Sequence, residues 1–317
     1  MSSPNPDFPV LSILGTQPER AEQMGSKRKF WFRDETAQLW LFKYARQGSG
    51  EDWAEKVAAE LAQRLGLPCA YAEMAHCGDM PGVAVRAFTD STTELVHGNQ
   101  LLARRDPKYP EHPHPPRRPL AEYTVERVLQ CLEAPSIGVP PLAPDLRDHI
   151  SRPVELFVGY LLLDAWLGNG DRHHENWGIL EHMELPQKSP RASLAPTYDH
   201  ASSLGRELTD TKRGVIVRTR DPSQSIGAYA SRARSAFCAE GDSSVRTISP
   251  LDALTIAARA HPLAAQVWSR RQLTAQLETE HVLSRIPDVR MSDVARIFTQ
   301  RLLIYNGESL RARINEC

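Results

Sequence analysis

Residues 154–167 constrain this chain more than any other stretch, because they are apolar nearly all round. Glu155 and Asp164 alone interrupt them, and the run is too short to cross a bilayer. A helix with this pattern belongs at the centre of a helical lobe. It must stop at Gly168-Asn169-Gly170, since two glycines so close together disfavour continuation. The polar run that follows, Asp171-Arg-His-His-Glu-Asn176, gives way from Trp177 to a short apolar segment that reads as a strand. A polar loop held between a buried helix and a strand is a rigid platform for chemistry.

The rest of the chain can supply the lobe such a helix needs. Its 317 residues are 41% hydrophobic and 24% charged, enough for one large domain or two lobes. A net charge of −1 carries no bulk signal for nucleic acid or an anionic membrane, although Lys and Arg are locally dense at 104–118 and 212–220. Cys69, Cys77, Cys131, Cys238 and Cys317 are scattered and form no CxxC pair. That argues against a disulfide framework or structural zinc and for a reducing compartment. The polar, proline-broken N-terminus lacks the apolar core of a signal peptide, so the expectation is a soluble, cytoplasmic protein.

Read along its length, the chain starts with a mobile lead-in over 1–24 that holds one apolar run, 10–14. Aromatic-rich runs at 29–32 and 38–44, separated by 33–36, predict a β-hairpin. After a break at 48–50, Trp53, Val57, Ala58, Leu61 and Leu65 recur at helical spacing, with Gly66 where a C-cap would fall. Residues 83–88 read as a further strand and 104–119 as an irregular exposed connection. Helices are expected over 120–132 and 145–150, a long loop region over 205–245, and amphipathic helices over 250–313, for example 294–303. This order predicts an α+β, bilobal fold with a small β-rich N-lobe (25–90) and a larger, mainly helical C-lobe (91–317).

The polar positions match the needs of phosphoryl transfer. Asp171 can accept or orient a hydroxyl proton. Asn176 offers an amide oxygen to Mg²⁺, a hard cation that prefers oxygen ligands, and Asp199 in the segment 196–204 adds a charged one. Taken alone, Asp199 equally suits the cap of a helix starting near Ala201. Lys43 lies inside an apolar strand, where a cation either snorkels outward or meets an anion. Glu55 on the following helix is its expected partner, with Glu60 as the competitor. Gly25-Ser26-Lys27-Arg28-Lys29 suits a turn over phosphates, with 15–18 as a rival loop. His173 is expected to brace Asp171 or the backbone. His112 and His114, among alternating prolines, read as an exposed loop rather than a metal site.

Asn169-x-Asp171-x-His173-x-x-Asn176, followed by Tyr198-Asp199, resembles the catalytic and metal-binding segments of the HipA-like kinases. These are bacterial serine/threonine kinases of toxin–antitoxin systems and their relatives, with a protein-kinase-like fold. The Gly-Asp-Arg-His-x-x-Asn form is also similar to the catalytic loop of phosphatidylinositol 3- and 4-kinases. The resemblance implies ATP and Mg²⁺ as cofactors, Asp171 as catalytic base, and Asn176 and Asp199 as metal ligands. It makes Lys43 the phosphate-orienting lysine with Glu55 as partner, and Gly25, Ser26, Lys27 and Lys29 the phosphate-covering loop. Arg86, Ala87 and Phe88 would form the hinge that meets the adenine. The implied acceptor is a hydroxyl, on a protein or alternatively on a lipid or small molecule, and autophosphorylation would have Ser26 as a loop candidate. An antitoxin-like partner is allowed but has no support of its own in the sequence, and a non-catalytic nucleotide-binding module is the remaining alternative.

Overall fold

The computed structural model describes residues 6–13, 20–21, 28–112, 119–183, 191–241 and 245–317. The expected hairpin is present as β3 (Lys29–Arg33) and β4 (Leu39–Tyr44), antiparallel with Lys29 opposite Lys43. They sit in a six-stranded sheet with β1 (Val10–Ser12), β2 (Arg20–Ala21), β5 (Ala72–Cys77) and β6 (Met80–Arg86), in the order β1-β5-β6-β4-β3-β2. The lead-in is thus partly structural: β1 runs parallel to β5, and Phe8 is buried with the Lys56 and Arg285 cations over its ring. Strand β6 ends at Arg86, two residues earlier than expected.

Helix α1 (Glu51–Leu65) has the bounds its periodicity predicts, and Gly66 closes it in the left-handed conformation with φ 83°. Its burial is broader than the apolar stripe implies. It packs on β5 and β6 on one side and on C-lobe helices α9 (Pro262–Gln276) and α10 (Thr279–Ser284) on the other. The charged residues on its remaining faces are buried because they are paired: Glu51 with Arg206, Asp52 with Arg290, and Lys56 with Glu60 and Glu73.

Past the N-lobe, β7 (Thr93–His97) leads into α2 (Gly98–Arg105), then α3 (Val125–Leu132), β8 (Ile137–Gly138) and α4 (Pro144–Arg147). Helix α3 starts five residues later than expected, because the Thr124 side chain accepts the Arg127 N–H and fixes the N-cap there. Helix α5 (Pro153–Leu167) is the predicted central helix. All of its residues except Glu155 are buried, and it packs against α8 (Pro250–Ala260), α9 and α11 (Asp293–Asn315). Each fully buried Leu or Phe along it stabilises the lobe by about 1.5–3 kcal/mol. A second sheet, ordered β7-β9-β10-β8, contains β9 (Gly178–His182) and β10 (Ala192–Leu194) and flanks the loop after α5. Residues 205–245 are not the expected long loop. They hold α6 (Asp210–Arg218), a short 3₁₀ turn and α7 (Ile226–Ala230), started by the Thr209 and Ser225 side chains rather than signalled by apolar periodicity. Among the described residues no helix is long and apolar enough to cross a membrane.

Candidate active site

Gly168 ends α5 in the left-handed region, with φ 67°, and turns the chain into the loop. The loop's shape is set by an arginine. Arg172 is 1% exposed, and its guanidinium makes a two-point contact with Asp164 of α5, at 2.7 and 2.8 Å. The same fork reaches the Asn176 carbonyl at 2.7 Å and the Thr197 hydroxyl at 3.0 Å. Asn169 donates to Asp164 at 2.7 Å, and Tyr123 donates to the Arg172 carbonyl at 2.9 Å. A buried arginine needs this degree of satisfaction, and here it ties helix, loop and the segment after β10 into one unit.

On that support Asp171 is half exposed and receives the Ser202 hydroxyl at 3.1 Å. The Asn176 amide nitrogen is engaged by the Asp171 carbonyl at 2.6 Å, which leaves its side-chain oxygen as the group for a cation. The His173 side chain does not hydrogen-bond to the Asp171 carboxylate, since Nε2 lies 3.9 Å from Oδ1, although the His173 backbone N–H donates to the Asp171 carbonyl at 2.8 Å. Its Nδ1 instead accepts the Glu175 N–H at 3.2 Å, so it braces the backbone.

Asp199 takes a positive φ of 60°, uncommon for a residue with a side chain. No helix begins at Ala201, so its role is not that of a helix cap. Its carboxylate meets Lys43 Nζ at 3.0 Å, which brings the N-lobe strand residue directly onto the C-lobe segment. This corrects the expected Lys43–Glu55 pair. Glu55 is buried and lies within electrostatic reach of Lys43, but its carboxylate contacts His200 Nδ1 at 3.5 Å. The other His200 nitrogen meets the Thr197 hydroxyl at 2.8 Å. The physical reason is proximity of charge: Asp199 reaches the ammonium first, and His200 takes the carboxylate behind it. Burial alone would push the Glu55 carboxyl up, but His200 and then Lys43 hold it below the ordinary range. Burial likewise opposes the Lys43 charge, yet Asp199, Glu55 and Asp171 together raise its pKa. The competitor Glu60 is occupied elsewhere, by Lys56 and Arg64.

Lys29 sits opposite Lys43, so both side chains share one face of the hairpin. Gly25, Ser26 and Lys27, the rival loop 15–18 and His114 lie outside the described residues. At the lobe junction the Arg86 and Ala87 N–H groups bond to Tyr71 and Leu39 carbonyls within the N-lobe. The Arg86 guanidinium covers the Tyr71 ring, while the Phe88 ring packs 5.6 Å from Tyr198, the neighbour of Asp199. Sequence reasoning missed Asp164, Arg172, Thr197 and His200. The one available signal was Asp164, an acid deep in the apolar run and away from the first turn that holds Glu155, which calls for a buried cation.

Asn176 and Asp199 suit Mg²⁺ in donor type, with the Asn176 amide already oriented. Among the described residues no three His, Cys, Asp or Glu side chains cluster as a metal site. Mg²⁺ keeps several waters and takes further oxygens from phosphates where few protein groups bind it. Lys43, Asp199, Asp171 and Asn176 therefore meet between a sheet lobe and a helical lobe, and the sequence over 21–268 matches the family model of the HipA-like C-terminal domain. The chain belongs to that family. The HipA-like fold extends to solved structures. Over 97% of this chain and 99% of the other, the proinflammatory kinase CtkA of Helicobacter pylori superposes with a TM-score of 0.73 at 18% identity. HipA of Shewanella oneidensis MR-1, in complex with HipB and operator DNA, covers 98% of this chain and 67% of its own, with a TM-score of 0.55 at 14% identity. At such identities the likeness is one of fold, and that fold is kinase-like and bilobal. No curated protein matches the sequence.

Proposed function

We propose that this protein is an ATP- and Mg²⁺-dependent kinase that phosphorylates a hydroxyl group, most simply a serine or threonine of a protein. The observation that carries the reading is the Lys43–Asp199 contact across the lobes, beside Asp171 and Asn176 on one braced loop. When bound, MgATP supplies the transferable phosphoryl group and a divalent charge next to it. Lys43 neutralises phosphate oxygens, and Lys29 adds a second cation on the same face. Asn176 and Asp199 hold the metal, and Phe88 with Tyr198 offers an aromatic wall at the junction. Asp171 orients the acceptor hydroxyl and takes its proton. The contribution of these groups is positioning and charge stabilisation, which dominate this chemistry.

The test is transfer of γ-labelled phosphate by wild type, Asp171→Asn and Asp199→Asn, with nucleotide binding measured for all three. Transfer by wild type and its loss in both variants is the expected result. ATP binding without turnover by wild type, toward itself, generic proteins or a lysate, would support a regulatory nucleotide-binding module instead. Labelling of lipid vesicles but no protein would move the acceptor to a lipid.

A further inference from the structure

A cavity of about 730 Å³ opens in the C-lobe against the catalytic loop, apart from Lys43, Asn176 and Asp199. Gly170 and Ser202 form part of its wall, the former adjacent to Asp171 and the latter hydrogen-bonded to its carboxylate. The opposite wall is the turn that carries Arg232 and Arg234. The two walls touch: a Cβ added at Gly170 would stand 2.6 Å from the Arg234 carbonyl oxygen. Ser249 and Asn306 add neutral hydrogen-bonding groups to the lining. The cavity therefore adjoins the proposed base without sharing the groups assigned to the nucleotide.

Its charges are unevenly compensated. Arg232 and Arg234 are exposed, and their guanidinium groups bond only to main-chain carbonyls: Ser223 at 3.3 Å, and Ser231 and Ala233 at 3.0 and 2.9 Å. Among the described residues no carboxylate forms an ion pair with either. Of the other charges in the lining, Arg313 pairs with Asp252 at 3.5 Å, and Glu207 accepts the Tyr229 hydroxyl at 2.7 Å without an ion pair, so three arginines against two acids leave the lining net positive. The turn thus presents two positioned cations to whatever enters, and a guanidinium fork is suited to carboxylates.

We propose that this cavity receives the phosphate acceptor and that the acceptor is an acidic peptide segment, its carboxylates held by Arg232 and Arg234 while its hydroxyl meets Asp171. The inference rests on the kinase reading for what happens to the hydroxyl, but the docking can be measured without turnover. The probes are two fluorescent peptides with one serine each, flanked by glutamates in one and by lysines in the other. Binding is followed by anisotropy at two salt concentrations for wild type, Arg232→Glu/Arg234→Glu and the milder Arg232→Gln/Arg234→Gln. Thermal unfolding controls for the fold.

Wild type should bind the glutamate peptide about tenfold more tightly than the lysine peptide, with the advantage shrinking as salt rises. Charge reversal should remove that preference or invert it, and the glutamine pair should fall between. Equal binding of the two peptides by wild type would overturn the proposal, as would a preference that survives charge reversal. So would binding confined to anionic phospholipid vesicles. Selective peptide binding with no phosphate transfer would uphold the docking site and reject the kinase reading. Transfer to serine peptides irrespective of their flanks would do the opposite.

Discussion

Lys43 Nζ and Asp199 Oδ1 stand 3.0 Å apart and join strand β4 of the N-lobe to the segment after β10 in the C-lobe. Replacing Lys43 by Met removes the cation that offsets Asp199 and Glu55. Phosphate transfer should then fall by about 100-fold, the scale seen when one preorganised charge-stabilising donor is lost. Single-turnover transfer measures this. The pair also bears on stability, and a double-mutant cycle of Lys43→Met and Asp199→Asn in urea unfolding should show coupling of about 1 kcal/mol. Additive effects in the cycle would mean that the contact does not hold the lobes together.

The Arg172–Asp164 pair makes a different prediction, about folding rather than chemistry. Removing one member of a buried pair strands the other charge in the core, so Arg172→Ala should cost about 3–5 kcal/mol of unfolding free energy. Arg172→Lys should recover little of it, because an ammonium cannot bond Asp164 twice while reaching the Asn176 carbonyl and Thr197. Chemical denaturation of the three proteins decides it. A lysine variant as stable as wild type would mean that charge alone, without the fork, shapes the loop.

The bounds of α1 and the place of α5 were legible because apolar periodicity and terminal glycines are local signals. The short helices over 205–230 were not, since their starts rest on single capping hydroxyls of Thr209 and Ser225. Asp171, Asn176, Asp199 and Lys43 could be picked from residue type, order and the nature of their flanks, and the structure gathers them at the lobe boundary. The partner of Lys43 could not. Glu55 and Asp199 are both acids within reach, and choosing between them requires knowing that His200 occupies Glu55. Arg172 looked like one more polar loop residue. That it is buried follows from contacts with Asp164, eight residues back, and Thr197, twenty-five residues on, which no local pattern encodes.

Gly170 offers a test of how closely the loop after α5 is held. A Cβ there would lie 2.6 Å from a backbone oxygen of the 231–234 turn, and a backbone atom cannot swing aside as a flexible side chain can. Gly170→Ala should cost about 1–3 kcal/mol of stability, the usual scale of overpacking. It should also slow phosphate transfer by displacing the residue next to Asp171. Thermal unfolding and transfer assays on the one variant check both effects. Wild-type values for both would show that the turn yields freely.

His174 gives the fold a predictable acid sensitivity. It is 6% exposed, with Nδ1 2.8 Å from the Tyr109 hydroxyl, and burial followed by the nearby His173, His112 and His97 lowers its pKa to about 4. In the unfolded chain it would titrate near 6.5, so between those values the unfolded state binds more protons than the folded one. Stability from this group is therefore fully present above pH 6.5 and is lost as pH falls toward 4, by up to about 3 kcal/mol. Unfolding midpoints of wild type and His174→Gln across pH 7 to 4 isolate the effect, since carboxylate protonation affects both proteins alike. The variant should be less stable than wild type at pH 7, and the gap should narrow as the pH drops. A gap that stays constant would mean that His174 is as easily protonated in the fold as outside it, and that its burial beside Tyr109 carries no electrostatic cost.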